Sequence, residues 1–135
     1  MFSRVRRKTQ NRIDTLIGAD AVINGGVVFS GGLRVDGCIN GNVNEDGAKQ
    51  GMLVLSELGR IDGAIEVSNA VINGTVTGPI RAKQYVELQS KSRVTGDVCY
   101  KTLEIHVGAV IEGRLIYLNE DAAAEGVGDP LIVSG

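Results

Sequence analysis

The sequence predicts an all-β chain wound as a parallel β-helix, with about three short strands in each of about six coils. Glycine supplies 19 of 135 residues, aromatic residues make up only 4%, and tryptophan is absent. That balance favours many tight turns and thin aliphatic packing over a bulky core. The apolar residues are mostly Val, Ile, Leu and Ala, and the β-branched ones suit short strands. The third observation is a repeat: an apolar residue, any residue, Gly, any residue, an apolar residue.

The unit centres on Gly25 (Ile23, Val27), Gly41 (Ile39, Val43), Gly63 (Ile61, Ile65), Gly78 (Val76, Ile80), Gly96 (Val94, Val98) and Gly113 (Ile111, Leu115). These glycines lie 16, 22, 15, 18 and 17 residues apart. The long gap holds residues 44–51, whose composition reads as an inserted loop. An alternating pair precedes most units: Leu33/Val35, Leu53/Leu55, Ala70/Ile72, Val86/Leu88 and Leu103/Ile105. From pair to unit the step is four residues at Val35–Ile39 and Ile72–Val76, and six at Leu55–Ile61, Leu88–Val94 and Ile105–Ile111. Gly37 and Gly74 sit in the short steps, where a Gly turn replaces a longer corner.

Alternation sends every second side chain to one side of a strand. A single unit cannot bury that side alone. Stacking units at about 4.8 Å per coil pairs each strand with its copies and makes a continuous aliphatic column. Large rings would disturb the shared cross-section, which accounts for their scarcity. Six coils between Leu16 and Leu118 give a rod of roughly 30 Å. Asn24-Gly25, Asp36-Gly37, Asn40-Gly41, Asp62-Gly63 and Asn73-Gly74 are expected to provide positive-φ corners with side chains bonding the local backbone.

The flanks differ in charge. Residues 1–12 carry Arg4, Arg6, Arg7, Lys8 and Arg12 and no acidic residue, while the whole chain has 14 basic and 16 acidic residues. A basic arm on an acidic body points to an anionic target for the arm rather than to general nucleic-acid binding. Residues 1–14 read as this flexible arm, 15–118 as the β-helix domain and 119–135 as a flexible acidic tail. Cys38 and Cys99 are too few and too far apart for a disulfide framework or a metal motif. No apolar run approaches a membrane span of about 18 residues, and no apolar segment follows the first basic residues as in a secretory signal. A cytoplasmic protein is expected.

The segments Thr15-Leu16-Ile17-Gly18 and Phe29-Ser30-Gly31-Gly32-Leu33-Arg34-Val35-Asp36-Gly37 resemble the opening of a bactofilin domain. Leu53-Val54-Leu55-Ser56-Glu57-Leu58-Gly59-Arg60-Ile61-Asp62-Gly63, Val71-Ile72-Asn73-Gly74-Thr75-Val76, Tyr85-Val86-Glu87-Leu88 and Val94-Thr95-Gly96-Asp97-Val98 continue the likeness, over about residues 14–118. The resemblance implies a right-handed β-helix that polymerises without nucleotide into cytoskeletal filaments, with like ends meeting. It also implies attachment to the inner face of the cytoplasmic membrane and cell-wall synthesis or remodelling enzymes as partners. Met1-Phe2-Ser3-Arg4, followed by Arg6 and Arg7, resembles the membrane-targeting start of some members.

A solenoid has two open sheet edges, which soluble repeat proteins usually cap. No cap is legible here. Leu16, Ile17, Val22 and Ile23 in the first coil, and Val110, Ile111, Leu115, Tyr117 and Leu118 in the last, are the candidate polymerisation surfaces. The competing reading folds the tails over both ends and leaves a monomeric binding module. Met1 and Phe2 with Arg4, Arg6 and Arg7 are the candidate membrane-binding residues. His106, the single histidine, is expected outward beside Glu104, a surface residue rather than a catalytic base. Left-handed β-helix acyltransferases use a strict hexapeptide repeat, which the mixed steps break. Neither a phosphate-binding Gly loop with its lysine nor a calcium-binding repeat occurs, so no enzyme activity, cofactor or metal is expected.

Overall fold

The computed structural model describes residues 12–47 and 50–119. The candidate membrane residues Met1, Phe2, Arg4, Arg6 and Arg7, and the tail from residue 120, lie outside them. The first coil is β1 (Thr15–Ile17), β2 (Val22–Asn24) and β3 (Val27–Phe29). The second is β4 (Gly32–Val35), β5 (Cys38–Asn40) and β6 (Val43–Glu45). Then come β7 (Met52–Leu55), β8 (Arg60–Asp62), β9 (Ile65–Ile72), β10 (Thr75–Thr77), β11 (Ile80–Leu88), β12 (Arg93–Thr95), β13 (Val98–Ile105), β14 (Val110–Glu112) and β15 (Leu115–Tyr117).

All pairings are parallel. The sheet β2-β5-β8-β10-β12-β14 forms one face, with one strand from each of six coils. The other sheet makes two faces, because β9, β11 and β13 run through a corner: their first halves stack above β3 and β6, their second halves above β1, β4 and β7. The result is a triangular parallel β-solenoid of six coils, without a helix among the described residues.

The register explains the repeat. Ile23, Ile39, Ile61, Val76, Val94 and Ile111 stack in one inward column. Val27, Val43, Ile65, Ile80, Val98 and Leu115 form the second. Ile17, Val35, Leu55, Ile72, Leu88 and Ile105 form the third. In the four middle coils every one of these residues is buried, and each contributes roughly 2 kcal/mol by leaving water.

The corner glycines act differently from expectation. Of the five dipeptide glycines only Gly25 has a positive φ, of 131°. The others are needed because the coil beneath is too close for a side chain. A Cβ on Gly41 would lie 2.2 Å from the Gly25 carbonyl oxygen, and one on Gly63 would lie 2.1 Å from that of Gly41. Gly78, Gly96 and Gly113 continue the column, each over the backbone of its predecessor.

Several corner side chains also bond between coils. Where the strand ladder is interrupted, an oxygen of one coil accepts a backbone N–H of the next. Asp14 takes Gly32 at 2.8 Å, Asn42 takes Ala64 at 2.9 Å, Asn73 takes Lys91 at 2.9 Å and Asp97 takes Arg114 at 3.0 Å. Asn40 donates its side-chain amide to Asn24 at 2.9 Å. The first four of these contacts satisfy backbone donors that the ladder misses.

The inserted loop falls where expected but begins later, since Asn44 and Glu45 belong to β6. Glu45 holds its base, accepting the N–H of Gly51 at 3.0 Å and of Ser68 at 2.9 Å, and the Ser68 hydroxyl. Ser68 is buried, so Glu45→Ala strands donors that water reaches poorly. A loss of about 2 kcal/mol is expected, read as a lower midpoint in urea with an unchanged slope.

Candidate polymerisation ends

In the four middle coils strands pair on both sides, whereas among the described residues each strand of the first and last coils pairs on one side only. β1 pairs only with β4, β2 with β5 and β3 with β6. At the other end β14 pairs only with β12, β15 with β13, and the second half of β13 with β11. Each end therefore offers three strand edges around an aliphatic cross-section.

The candidate residues divide into two groups. Ile17, Ile23 and Ile111 lie in inward columns, partly buried and packed on the core. Leu115, in the second inward column, is 37% exposed because no described coil follows it. Tyr117 is also exposed, and its ring meets Tyr100 edge-on with centroids 6.0 Å apart. Leu16, Val22 and Val110 stand on outer columns, at the rims of the end coils. Leu118 is half-buried and donates its N–H to the Tyr100 carbonyl.

Four further residues belong to the end surfaces: Thr15 and Val27 in the first coil, and Leu103 and Ile105 in the last. Ile105 is exposed, although its column partner Leu88 is fully buried. The signal for them was present, since Leu103/Ile105 is the last alternating pair, but the sequence does not show that this pair opens the final coil.

Outside the ends, the outer surface is mostly polar. Arg34 pairs with Asp36 and Arg60 with Asp62, each at 3.0 Å. The Thr77 hydroxyl and Arg60 hold the Asp62 carboxyl below its usual range. Burial pushes the Cys99 thiol up, away from the reactive thiolate. Short corners at Asn73 and Gly74 leave a groove of about 620 Å³ between longer ones, lined by Glu57, Leu58, Thr75, Ser90, Lys91 and Arg93.

His106 faces outward as expected, its Nε2 lying 3.1 Å from Glu87 and 3.2 Å from Glu104. The Tyr85 hydroxyl lies between the same carboxylates, at 2.8 Å from Glu87 and 3.0 Å from Glu104. Gln89, with help from Tyr85 and His106, holds the Glu87 carboxyl below its usual range. Burial, with these two acids, pushes the Tyr85 hydroxyl upward.

The described residues form a parallel β-solenoid, a repeat architecture in which each coil rests only on its neighbours. Residues 15–116 match the bactofilin family model, described as polymer-forming cytoskeletal. The chain is 32% identical over 109 residues to bactofilin BacO of Myxococcus xanthus, covering 81% of this chain and 83% of that one. It is 28% identical over 107 residues to BacP of the same organism, covering 79% of this chain but 43% of that longer one. Among solved structures it resembles the cytoskeletal bactofilin BacA, determined by solid-state NMR. The TM-score there is 0.68 at 32% identity, covering 81% of this chain and all of that one. It also resembles the Thermus thermophilus bactofilin of double helical filaments, with a TM-score of 0.64 at 25% identity and coverage of 78% and 100%. The chain belongs to the bactofilin family, and its role is that of a cytoskeletal filament protein.

Proposed function

We propose that this chain stacks end to end, without nucleotide, into filaments on the inner face of the cytoplasmic membrane, where they organise cell-shape or cell-wall machinery. The observation that carries the stacking is the set of single-sided strands at both ends. Unpaired edges are templates for further pairing, and a copy seated on each would bury Ile17, Ile23, Ile105, Ile111 and Leu115 together. The basic arm supports the membrane contact. Each cation near an anionic surface contributes about 1 kcal/mol, with Met1 and Phe2 adding apolar contact. A filament presents many such arms at once, so a weak anchor becomes firm.

Negative-stain electron microscopy of the full chain in nucleotide-free buffer tests the stacking. Filaments of uniform width are expected; small monodisperse particles at every protein and salt concentration would leave a monomeric binding module instead. Removing residues 1–8 tests the anchor. The shortened chain should still form filaments but stay in the supernatant when phosphatidylglycerol vesicles are sedimented, while the full chain pellets. Undiminished pelleting would move the anchor elsewhere.

A further inference from the structure

We propose that Glu87, Glu104 and His106 form a zinc-binding clamp that ties the last coil to the one before it. Glu87 and Glu104 are directly in register on β11 and β13 and point outward. Like charges so placed repel each other, so the pair has a standing demand for a cation. His106 follows Glu104 by two residues and brings its Nε2 to 3.1 Å from Glu87 Oε2 and 3.2 Å from Glu104 Oε2. The three donor atoms all lie within 4.8 Å of one another.

These spacings suit a small tetrahedral ion. Zinc holds nitrogen and oxygen donors at about 2.0–2.1 Å, which puts neighbouring donors of a tetrahedron roughly 3.3 Å apart. The two nitrogen–oxygen distances already approach that value, and no pair of the three donor atoms is more than 4.8 Å apart. One imidazole with two carboxylates is a donor set that zinc accepts with its fourth position left to water. Magnesium and calcium prefer six or more oxygens, which this corner does not gather.

The surroundings orient the ligands. Tyr85 lies against Oε1 of both carboxylates, which leaves each Oε2 turned toward the imidazole. Gln89 donates to Glu87 Oε2 at 2.9 Å, fixing the less exposed of the two acids. Outer contacts of this kind set ligand direction in metal sites. Two carboxylates and a neutral imidazole also cancel the charge of a divalent ion, so none is left uncompensated. The clamp would join residues 17 apart across the two final coils, on the strand that carries Leu103 and Ile105 to the open end. Zinc would then stiffen one end of the rod and not the other.

The test uses the full chain with Cys38→Ser and Cys99→Ser, so that thiols do not compete, stripped of metal by chelator. Calorimetric titration with zinc chloride at pH 7.5 should show one site per chain and a raised melting temperature, with no response to magnesium chloride. His106→Gln and Glu104→Gln should each weaken zinc binding at least tenfold, and Tyr85→Phe by roughly tenfold through ligand positioning. Should His106→Gln fail to fold by circular dichroism, Glu104→Gln decides, because its side chain is 56% exposed and its loss relieves repulsion. Absence of saturable zinc binding overturns the proposal. So does an affinity that both ligand variants leave unchanged, or an equal response to magnesium.

Discussion

Leu115→Arg should remove long filaments while leaving the solenoid folded. Leu115 ends the column of Val27, Val43, Ile65, Ile80 and Val98. In the free chain its side chain is partly in water, so an arginine there keeps its hydration and the fold loses little. In a filament the same position would be covered, and a buried charge without a partner costs about 3 kcal/mol or more. That weakens each contact roughly a hundredfold and shortens polymers steeply. Val107→Arg is the control. Val107 is 96% exposed at an outer corner, so a charge there should leave filaments as they are. Long Leu115→Arg filaments in the electron microscope would remove this end from the contact.

The size of the residual Leu115→Arg species reports how the ends meet. If like ends join, blocking the last coil leaves the first-coil contact intact and the chain accumulates as dimers. If opposite ends join, the one contact uses both surfaces and the chain accumulates as monomers. Analytical ultracentrifugation separates the two. Ile23→Arg, at the opposite end, should give the same distribution in either case, but only in the like-end case should mixing the two variants leave both kinds of dimer.

The middle of the rod was legible in the sequence because every middle coil obeys the same constraint. Val76 and Ile80 must point inward whatever lies beyond them, and the four- and six-residue steps reappear as short corners at Asp36-Gly37 and Asn73-Gly74 and longer ones elsewhere. Legibility fails where neighbours decide. Leu103 and Ile105 read as one more inward pair, and only the absence of a further coil among the described residues places them at the end. Leu16, Val22 and Val110 read as part of the ends, yet their columns run along the outside. Sequence spacing fixes which residues share a side of a strand, not which strand comes last. The cluster at Glu87, Glu104 and His106 was hidden for the same reason. Glu104 and His106 were visible as neighbours, but Glu87 joins them only through a register 17 residues long.

Gly63→Ala should be among the most damaging single-methyl changes in the chain. The added Cβ would sit 2.1 Å from the Gly41 carbonyl oxygen and 2.5 Å from its carbon, where backbone cannot swing aside as a side chain end would. Relief requires the two coils to part near Val43 and Ala64, whose ladder bond is 2.9 Å long, and the coils above follow. A loss of about 3 kcal/mol is expected, lowering the melting temperature by roughly 10–15 °C. Two comparisons isolate the cause. Gly25→Ala meets nothing within 4 Å, but its φ of 131° strains any side chain, so a loss of about 1–2 kcal/mol is expected. Gly47→Ala, in the inserted loop, meets nothing within 4 Å and has no positive φ, and should change stability by less than about 0.5 kcal/mol. An order of Gly63 over Gly25 over Gly47 would show that stacking space, more than turn conformation, makes glycine necessary at this corner. If Gly25→Ala proved the worst of the three, backbone conformation would be the governing demand after all.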